Sequence, residues 1–335
     1  MIAEKVMFYS KPNSWLFLIL ITLLSFLACK KMYKKFEPKE ELQNSVTLEN
    51  AVEITVRHKQ LKTSIETKDV KTPTISERMK EILRKEKVLN ETAKTMQGLD
   101  QNDAKLIQYT RDTILIPPET ASKNDSTTGP LIFEEKDDPS VEHVALKVIN
   151  LLKQRKNGFI VECGVWNGMA QSNSVVLENF HNWTSLLIEA APTSLKTIKT
   201  MRKRAWIAPA CLSTKPYSNM VKFLDQSATG QIVGPSTNIT DKSIVNDVLC
   251  IPFMTFMQAL NKTFVDYFSL DVEGNEMEIL PLIDFEKIKI DVMTIEHQFH
   301  HGKLGEMIEI MARNNFTLHS VTSIDLIFVN NRLKI

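Results

Sequence analysis

Residues 159–168 read FIVECGVWNG. An apolar run, Phe159 to Val161, ends in an acid, Glu162. Glycines follow at 164 and 168, and then helix-compatible sequence. That order spells a buried parallel strand, a tight turn and a helix start. Gly164 lets the backbone bend sharply and approach a ligand with no Cβ in the way. Glu162 at the strand end is placed to bind a polar, partly cationic ligand, and amides at the helix start to hold its electronegative atoms. A short glycine fingerprint matches often, so alone it fits any strand-to-helix turn in an α/β domain. The weight comes from its surroundings.

Downstream, Trp183 to Ile188 is a second apolar strand, closing on Glu189. Ala191-Pro192-Thr193 then starts a helix running through Lys203. Ala205 to Ala210 reads as a third strand. Ser213 to Asp247 is polar and reads as loop. Leu249 to Phe253 reads as a short strand and Thr255 to Asn261 as a helix. Val265 to Leu270 is a strand closing on Asp271, Asn275 to Ile283 a helix, Ile290 to Ile295 a strand closing on Glu296, and Leu304 to Arg313 a helix. Phe316 to Ser320 and Asp325 to Asn330 form a terminal hairpin. Gln171 to Phe180 reads as the helix after the glycine loop. Upstream, Asp138-Pro139 opens a helix whose apolar face is Val141, Val144, Ala145, Val148, Leu151 and Leu152. Strands alternating with helices predict a parallel sheet covered on both faces, with one antiparallel strand added by the hairpin. Acids at four strand ends, Glu162, Glu189, Asp271 and Glu296, gather along its carboxyl edge, where open α/β sheets bind ligands.

The chain has 335 residues, with 41 basic and 40 acidic side chains and a net charge of +1. That balance argues against a nucleic-acid partner. The four cysteines, Cys29, Cys163, Cys211 and Cys250, show no C-x-x-C spacing and hence no structural zinc signature. Cys163 reads as a small buried apolar residue, and Cys211 and Cys250 as free thiols, with pairing open to them in an oxidising compartment.

The amino terminus has its own logic. After a short tail, 1–14, residues Trp15 to Cys29 hold no charge. They read as a membrane segment, either a signal-anchor or a cleaved signal peptide. Lys30, Lys31, Lys34 and Lys35 favour a cytosolic bulk by the positive-inside rule. Sequons at Asn90, Asn124, Asn182, Asn238, Asn261 and Asn315 favour the lumen. Residues 30–138 read as a stem or linker too poor in apolar residues to fold alone. Its ordered part is a helix at about 75–97, where Ile75, Met79, Ile82, Glu86, Leu89, Ala93 and Met96 step by four and three. That row suits a stalk helix or a weak dimer seam. Lys123 to Pro130 is a linker by composition, and residues 139–335 form the folded domain.

Glu189 follows the glycine loop by roughly 20 residues, the spacing of a carboxylate that accepts hydrogen bonds from ribose hydroxyls. NAD and S-adenosylmethionine fit that pattern alike. Trp166 occupies the middle of the loop and hinders the close pyrophosphate approach a dinucleotide needs; S-adenosylmethionine carries no phosphate.

The segments VECGVWNGMAQSNSVVLE, NWTSLLIEAAP, Ala210 to Ser213, VDYFSLDVEGNEMEIL and VMTIEH resemble the FkbM-type methyltransferase domain over roughly residues 140–330. The resemblance extends to its animal branch of single-pass membrane proteins, which includes the insect protein Star. It implies a class I methyltransferase fold: Rossmann-like, seven strands, mostly parallel, with a terminal antiparallel hairpin. It also implies S-adenosylmethionine as cofactor, O-methyl transfer, and a luminal domain in the endoplasmic reticulum or Golgi. By position, it places Glu162, Gly164, Trp166 and Gly168 on the cofactor loop, Glu189 on the ribose, and Asp271 and Glu273 on the acidic motif. Many FkbM domains carry G-A-N where this chain has Gly164-Val165-Trp166.

Methyl transfer to oxygen needs an in-line acceptor and usually a base for its proton. Asp271, Glu273 and His297 are the candidates for that work, with Asp271 alternatively holding the cofactor's amino group. No metal is assigned, because the spacing of His297, His300 and His301 does not argue one. His300 and His301 read as a solvated loop. Two functions follow: a luminal O-methyltransferase with an unidentified acceptor (glycan, lipid or small molecule), or a catalytically silent, Star-like membrane trafficking factor.

Overall fold

The computed structural model describes residues 75–119 and 134–333, except 227, 228, 236, 238 and 240–243. The membrane segment at 15–29, the linker 123–130 and most of the stem lie outside them. Among the described residues no helix is long and apolar enough to cross a membrane.

The described chain runs α1 (Ile75–Met96), α2 (Ala104–Tyr109), α3 (Val144–Leu151), β1 (Phe159–Cys163), α4 (Val175–His181), β2 (Thr184–Glu189), α5 (Pro192–Met201), β3 (Trp206–Pro209), β4 (Cys211–Leu212), β5 (Asn219–Leu224), β6 (Gln231–Ile232), β7 (Val245–Ile251), α6 (Phe253–Ala259), β8 (Phe264–Leu270), α7 (Glu276–Ile279), β9 (Lys289–Glu296), α8 (Leu304–Arg313), β10 (Phe316–Val321) and β11 (Asp325–Asn330). Seven strands form the central sheet in the order β10-β11-β9-β8-β1-β2-β3. All its pairs are parallel except β11, which is antiparallel to both β9 and β10. This is an α/β fold with a mostly parallel central sheet.

The reason for the sheet is visible in β1, where all five residues are buried. A strand covered on both faces must be apolar throughout. Val161 and Cys163 pack into one core with Phe256, Phe268 and Met311, while Ile160 packs on the other face with Val148, Ile149, Trp183 and Tyr267. Each such side chain contributes roughly 1.5–3 kcal/mol when taken out of water. Chain order reverses between β1 and β8, which opens a crevice above their carboxyl ends.

Three expectations are corrected. Ser213 to Asp247 is not loop: β5 and β6 lie there, and with β4 and β7 they form a second, four-stranded sheet. Cys211 and Cys250 are not free thiols. They stand opposite each other where β4 pairs with β7 and are joined by a disulfide. Finally, the folded domain begins well before residue 139. Met96, Leu106, Tyr109 and Leu115 sit in the main core, and Ile116 exchanges backbone hydrogen bonds with Ile207 on the edge strand β3, at 2.8 and 3.0 Å. In the heptad-like row of α1, Ala93 and Met96 pack on the domain while Leu89 is exposed. The helix predicted from Pro139 starts instead at Val144, and Asp138 anchors its first turn by accepting from the Leu146 amide at 3.0 Å.

Candidate cofactor site at the carboxyl edge of the sheet

The glycine loop leaves β1 with three residues in the left-handed region, Gly164 (φ 76°), Trp166 (φ 49°) and Gly168 (φ 80°). Gly164 has no alternative. A Cβ there would lie 2.0 Å from the Asp271 carbonyl oxygen at the end of β8, so the loop and the strand end press together across the switch point. Gly168 sits against Ile198 and Arg202, where a Cβ would meet side-chain carbons at 3.2 Å.

Glu189 ends β2, whose register places Ile188 beside Cys163 of β1. Its carboxylate turns into the loop: Oε2 accepts from the Trp166 amide at 2.9 Å and Oε1 from the Ala191 amide at 2.7 Å. Burial pushes its pKa up to about 7, against the pull of those amides.

Glu162 behaves differently. Its Oε1 accepts from the Asn173 amide at 2.7 Å, and its Oε2 from the hydroxyls of Ser172 (3.1 Å) and Ser174. Burial raises its pKa and the Arg202 charge opposes that rise. Arg202, itself buried, bonds Glu178 at 2.7 Å and the Gly168 carbonyl at 2.6 Å. Glu162 therefore braces the loop from beneath, in place of the ligand contact read from sequence. The expected ligand-holding helix amides are also committed: the Met169 and Ala170 amides donate to Asn167 Oδ1, and α4 starts at Val175 rather than Gln171.

On the far side of the crevice, Asp271, Glu273, Glu276 and Glu296 converge. Burial pushes the Asp271 pKa well up and the Glu273 charge adds to the rise, against a hydrogen bond with Glu296 that lowers it. Glu296 is raised to about 11 by burial and then by the Asp271 charge, so the pair resists losing its last proton. Burial and the Glu276 charge raise Glu273 to about 7. Asp325, opposite Glu296 across β9 and β11, is raised to about 6 by burial. His297 turns its Nε2 toward the Thr322 carbonyl at 3.2 Å. His300 is not solvated: it is buried, with Nε2 2.6 Å from Glu276 Oε2. Sequence reasoning missed Arg202, Asn173 and the Glu276–His300 pair. Only the Asp-x-Glu-Gly-Asn-Glu run hinted at the last.

The sheet order and this acid-lined crevice define an α/β domain with a ligand crevice at its switch point. Residues 162–318 match the Methyltransferase FkbM domain family. Among solved structures, similar chains include precorrin-6y C5,15-methyltransferase from Geobacter metallireducens, at 11% identity and TM-score 0.32, covering 58% of this chain and 93% of that one. M. capricolum TrmK, in complex with S-adenosyl-homocysteine, is similar at 12% identity and TM-score 0.29, over 55% and 67%. Methyltransferase FkbM from Methylobacillus flagellatus is similar at 16% identity and TM-score 0.31, over 51% and 43%. No curated protein matches.

The crevice fits a nucleoside cofactor on two observations. Gly164 leaves a backbone cradle that any side chain would close. Asn173, whose Nδ2 donates to Ser269 Oγ at 2.9 Å, keeps a buried Oδ1 without a hydrogen-bond partner, an acceptor suited to an ammonium group.

Proposed function

We propose that this chain is an S-adenosylmethionine-dependent O-methyltransferase of the FkbM type, membrane-anchored in the secretory pathway with its catalytic domain in the lumen. One observation carries the reading. Glu189, on the strand next to β1, points its carboxylate into the glycine loop. Its cofactor is S-adenosylmethionine, which supplies an electrophilic methyl group when bound. Glu189 holds the ribose hydroxyls, Gly164 admits the backbone to close range, and Asp271 and Asn173 face the amino acid end. Glu273 takes the acceptor proton, since a carboxylate raised to about 7 is matched to a base working near neutrality. His297 is the weaker candidate, being turned toward Thr322. The acceptor is a hydroxyl on a glycan, lipid or small molecule, and the second sheet, β4 to β7, is the place for its recognition.

Two features support the lumen. The Cys211–Cys250 disulfide belongs to an oxidising compartment. The sequon asparagines among the described residues, Asn90, Asn182, Asn261 and Asn315, are all exposed. A glycosidase-sensitive gel mobility is expected, and unchanged mobility would remove the luminal placement.

A second reading, a Star-like trafficking or interaction factor without turnover, is favoured by one fact: both Glu189 oxygens already accept backbone amides, one of them from Trp166. Titration calorimetry of the full-length protein with S-adenosylhomocysteine separates the two. The enzyme reading expects measurable heat, abolished by Glu189→Ala. No heat at about millimolar ligand overturns it.

A further inference from the structure

We infer that Asp271, Glu276 and Glu296 form a site for a divalent, oxygen-preferring cation of the Ca2+/Mg2+ class at the carboxyl ends of β8 and β9. One carboxylate oxygen from each residue lies within 4.8 Å of the other two. Two oxygens on one cation lie no further apart than twice the metal–oxygen distance, about 4.8 Å for Ca2+ and about 4.2 Å for Mg2+. The spacing therefore admits Ca2+ directly and Mg2+ after a small contraction.

Proximity of acids alone would not make a site. Glu296 supplies the second observation. It is 5% exposed, yet its Oε2 has no hydrogen-bond partner. Buried polar oxygens are almost always satisfied, and one left open beside two further carboxylates calls for a donor or a positive ion. The charges acting most strongly on Glu296 are those of Asp271, Glu273 and Glu276, all negative. Elsewhere in the domain, buried acids are matched by arginines: Glu178 of α4 by Arg202, and Asp291 of β9 by Arg155 and Arg332.

Glu276 is held as ligands are held. Its Oε1 accepts from the Val272 amide at 2.7 Å, and its Oε2 from the Gly274 amide at 3.1 Å and faces His300 at 2.6 Å. A carboxylate has about four acceptor sites, so these three donors fix its orientation and leave room for a cation. Ligating carboxylates are themselves hydrogen-bonded in metal centres, and the buried His300 gives Glu276 such a partner. All three ligand positions are carboxylate oxygens, which favours hard cations over zinc or copper. Glu273, the proton acceptor proposed above, lies between Asp271 and Glu276 in sequence. The cation is therefore placed to lower the pKa of an acceptor hydroxyl. That role rests on the methyltransferase reading, whereas binding of the ion does not.

The test uses the full-length protein, stripped with chelator and titrated calorimetrically with Ca2+ and with Mg2+ in the absence of any nucleoside. One ion per chain is expected, with a dissociation constant below about 1 mM and a rise in unfolding temperature on saturation. Glu296→Gln weakens binding at least about tenfold and loses the thermal shift, whereas Glu309→Gln, on the exposed face of α8, changes neither. If Glu296→Gln lacks a cooperative unfolding transition, Asp271→Asn takes its place. No binding by a protein with an intact transition, or equal binding by the ligand variant, overturns the site and leaves a shared proton as the occupant. Cation heat without S-adenosylhomocysteine heat keeps the site and removes the enzyme; the reverse removes the site alone.

Discussion

Strands β8 and β9 carry buried carboxylates at both ends, and the two ends treat them in opposite ways. At the amino ends, Arg155 bridges Asp266 and Asp291, the latter at 2.6 Å. Arg332 adds bonds to Asp291 at 2.8 and 3.1 Å, and the Phe159 amide caps Asp266 at 2.8 Å. At the carboxyl ends, the charges that weigh most on Asp271 and Glu296 are other carboxylates. The first arrangement ties three strands and the carboxyl terminus together. The second opposes folding, because like charges are brought into a dry crevice. An acid kept under that strain has its use in a ligand.

The largest test of the contrast is a pair of substitutions. Arg155→Met leaves Asp266 without its cation and is expected to cost about 3 kcal/mol in urea unfolding. That is the low end for breaking a buried pair, because Arg155 is 31% exposed and Arg332 still serves Asp291. Glu296→Gln at the other end is expected to leave the ligand-free protein as stable at pH 8, or slightly more so. Equal losses from the two would erase the distinction.

The same contrast has a pH signature. Glu189 and Glu273 titrate near 7 in the folded protein, above the ordinary carboxylate range. A group whose folded pKa is raised binds more protons folded than unfolded between its two pKa values. Stability therefore falls as pH rises through that window, from about 4.5 to about 7. Glu142 and Asp284, which are lowered, act below the window and in the opposite direction. Glu189 is expected to contribute roughly 2–3 kcal/mol of the loss between pH 5 and pH 8, and Glu189→Gln to flatten the curve by that amount. A wild-type profile that is flat or rising there would show that the crevice is better solvated than its burial implies.

How much of this was legible beforehand differs by region. The central sheet announced itself, because strands covered on both faces must be apolar runs, and four of those runs ended in an acid that marked the edge. Helix α8 has the bounds read from the sequence, Leu304 to Arg313. Of the second sheet, only the end of β7 was read, as a strand at Leu249 to Phe253. Strand β5 is only half-buried over Asn219 to Val221, so it needs few apolar residues and resembles loop. The 96–116 strap was hidden for a related reason: its four core side chains, Met96, Leu106, Tyr109 and Leu115, are too widely spaced to give a strand or helix period, and much of its attachment is by backbone bonds to Ser218, Pro216 and Ile207. Cysteines 39 positions apart reveal their pairing only once β4 and β7 are in register. Likewise Glu276 and His300, 24 residues apart, meet only when the turn after β8 folds beside the turn after β9.

The glycine loop allows the contrast to be sharpened at a single atom. Gly164→Ala combines a left-handed φ with a Cβ 2.0 Å from a backbone oxygen, and a cost of about 2 kcal/mol is expected. Gly98 has nearly the same φ, 82°, but nothing within 4 Å of the added carbon, so Gly98→Ala is expected to cost only about 1 kcal/mol. The difference, measured by thermal unfolding, isolates the pressure between the loop and the end of β8. If the two alanines cost the same, the crevice is loose at its narrowest point.

The smallest effect belongs to Trp166, which adopts φ 49° although it is not glycine. Trp166→Gly removes about 1 kcal/mol of backbone strain and also removes the packing of a half-buried indole, so the net change in stability is expected to stay within about 1 kcal/mol. The informative readout is S-adenosylhomocysteine affinity. The Trp166 amide, bonded to Glu189, survives the substitution, whereas the indole beside the cradle is removed. Unchanged affinity would show that the indole is a bystander and that the loop accepts the nucleoside as it stands. Heat that appears only in the glycine variant would make Trp166 the element that keeps the wild-type pocket shut, and would favour the silent, Star-like reading for the native chain.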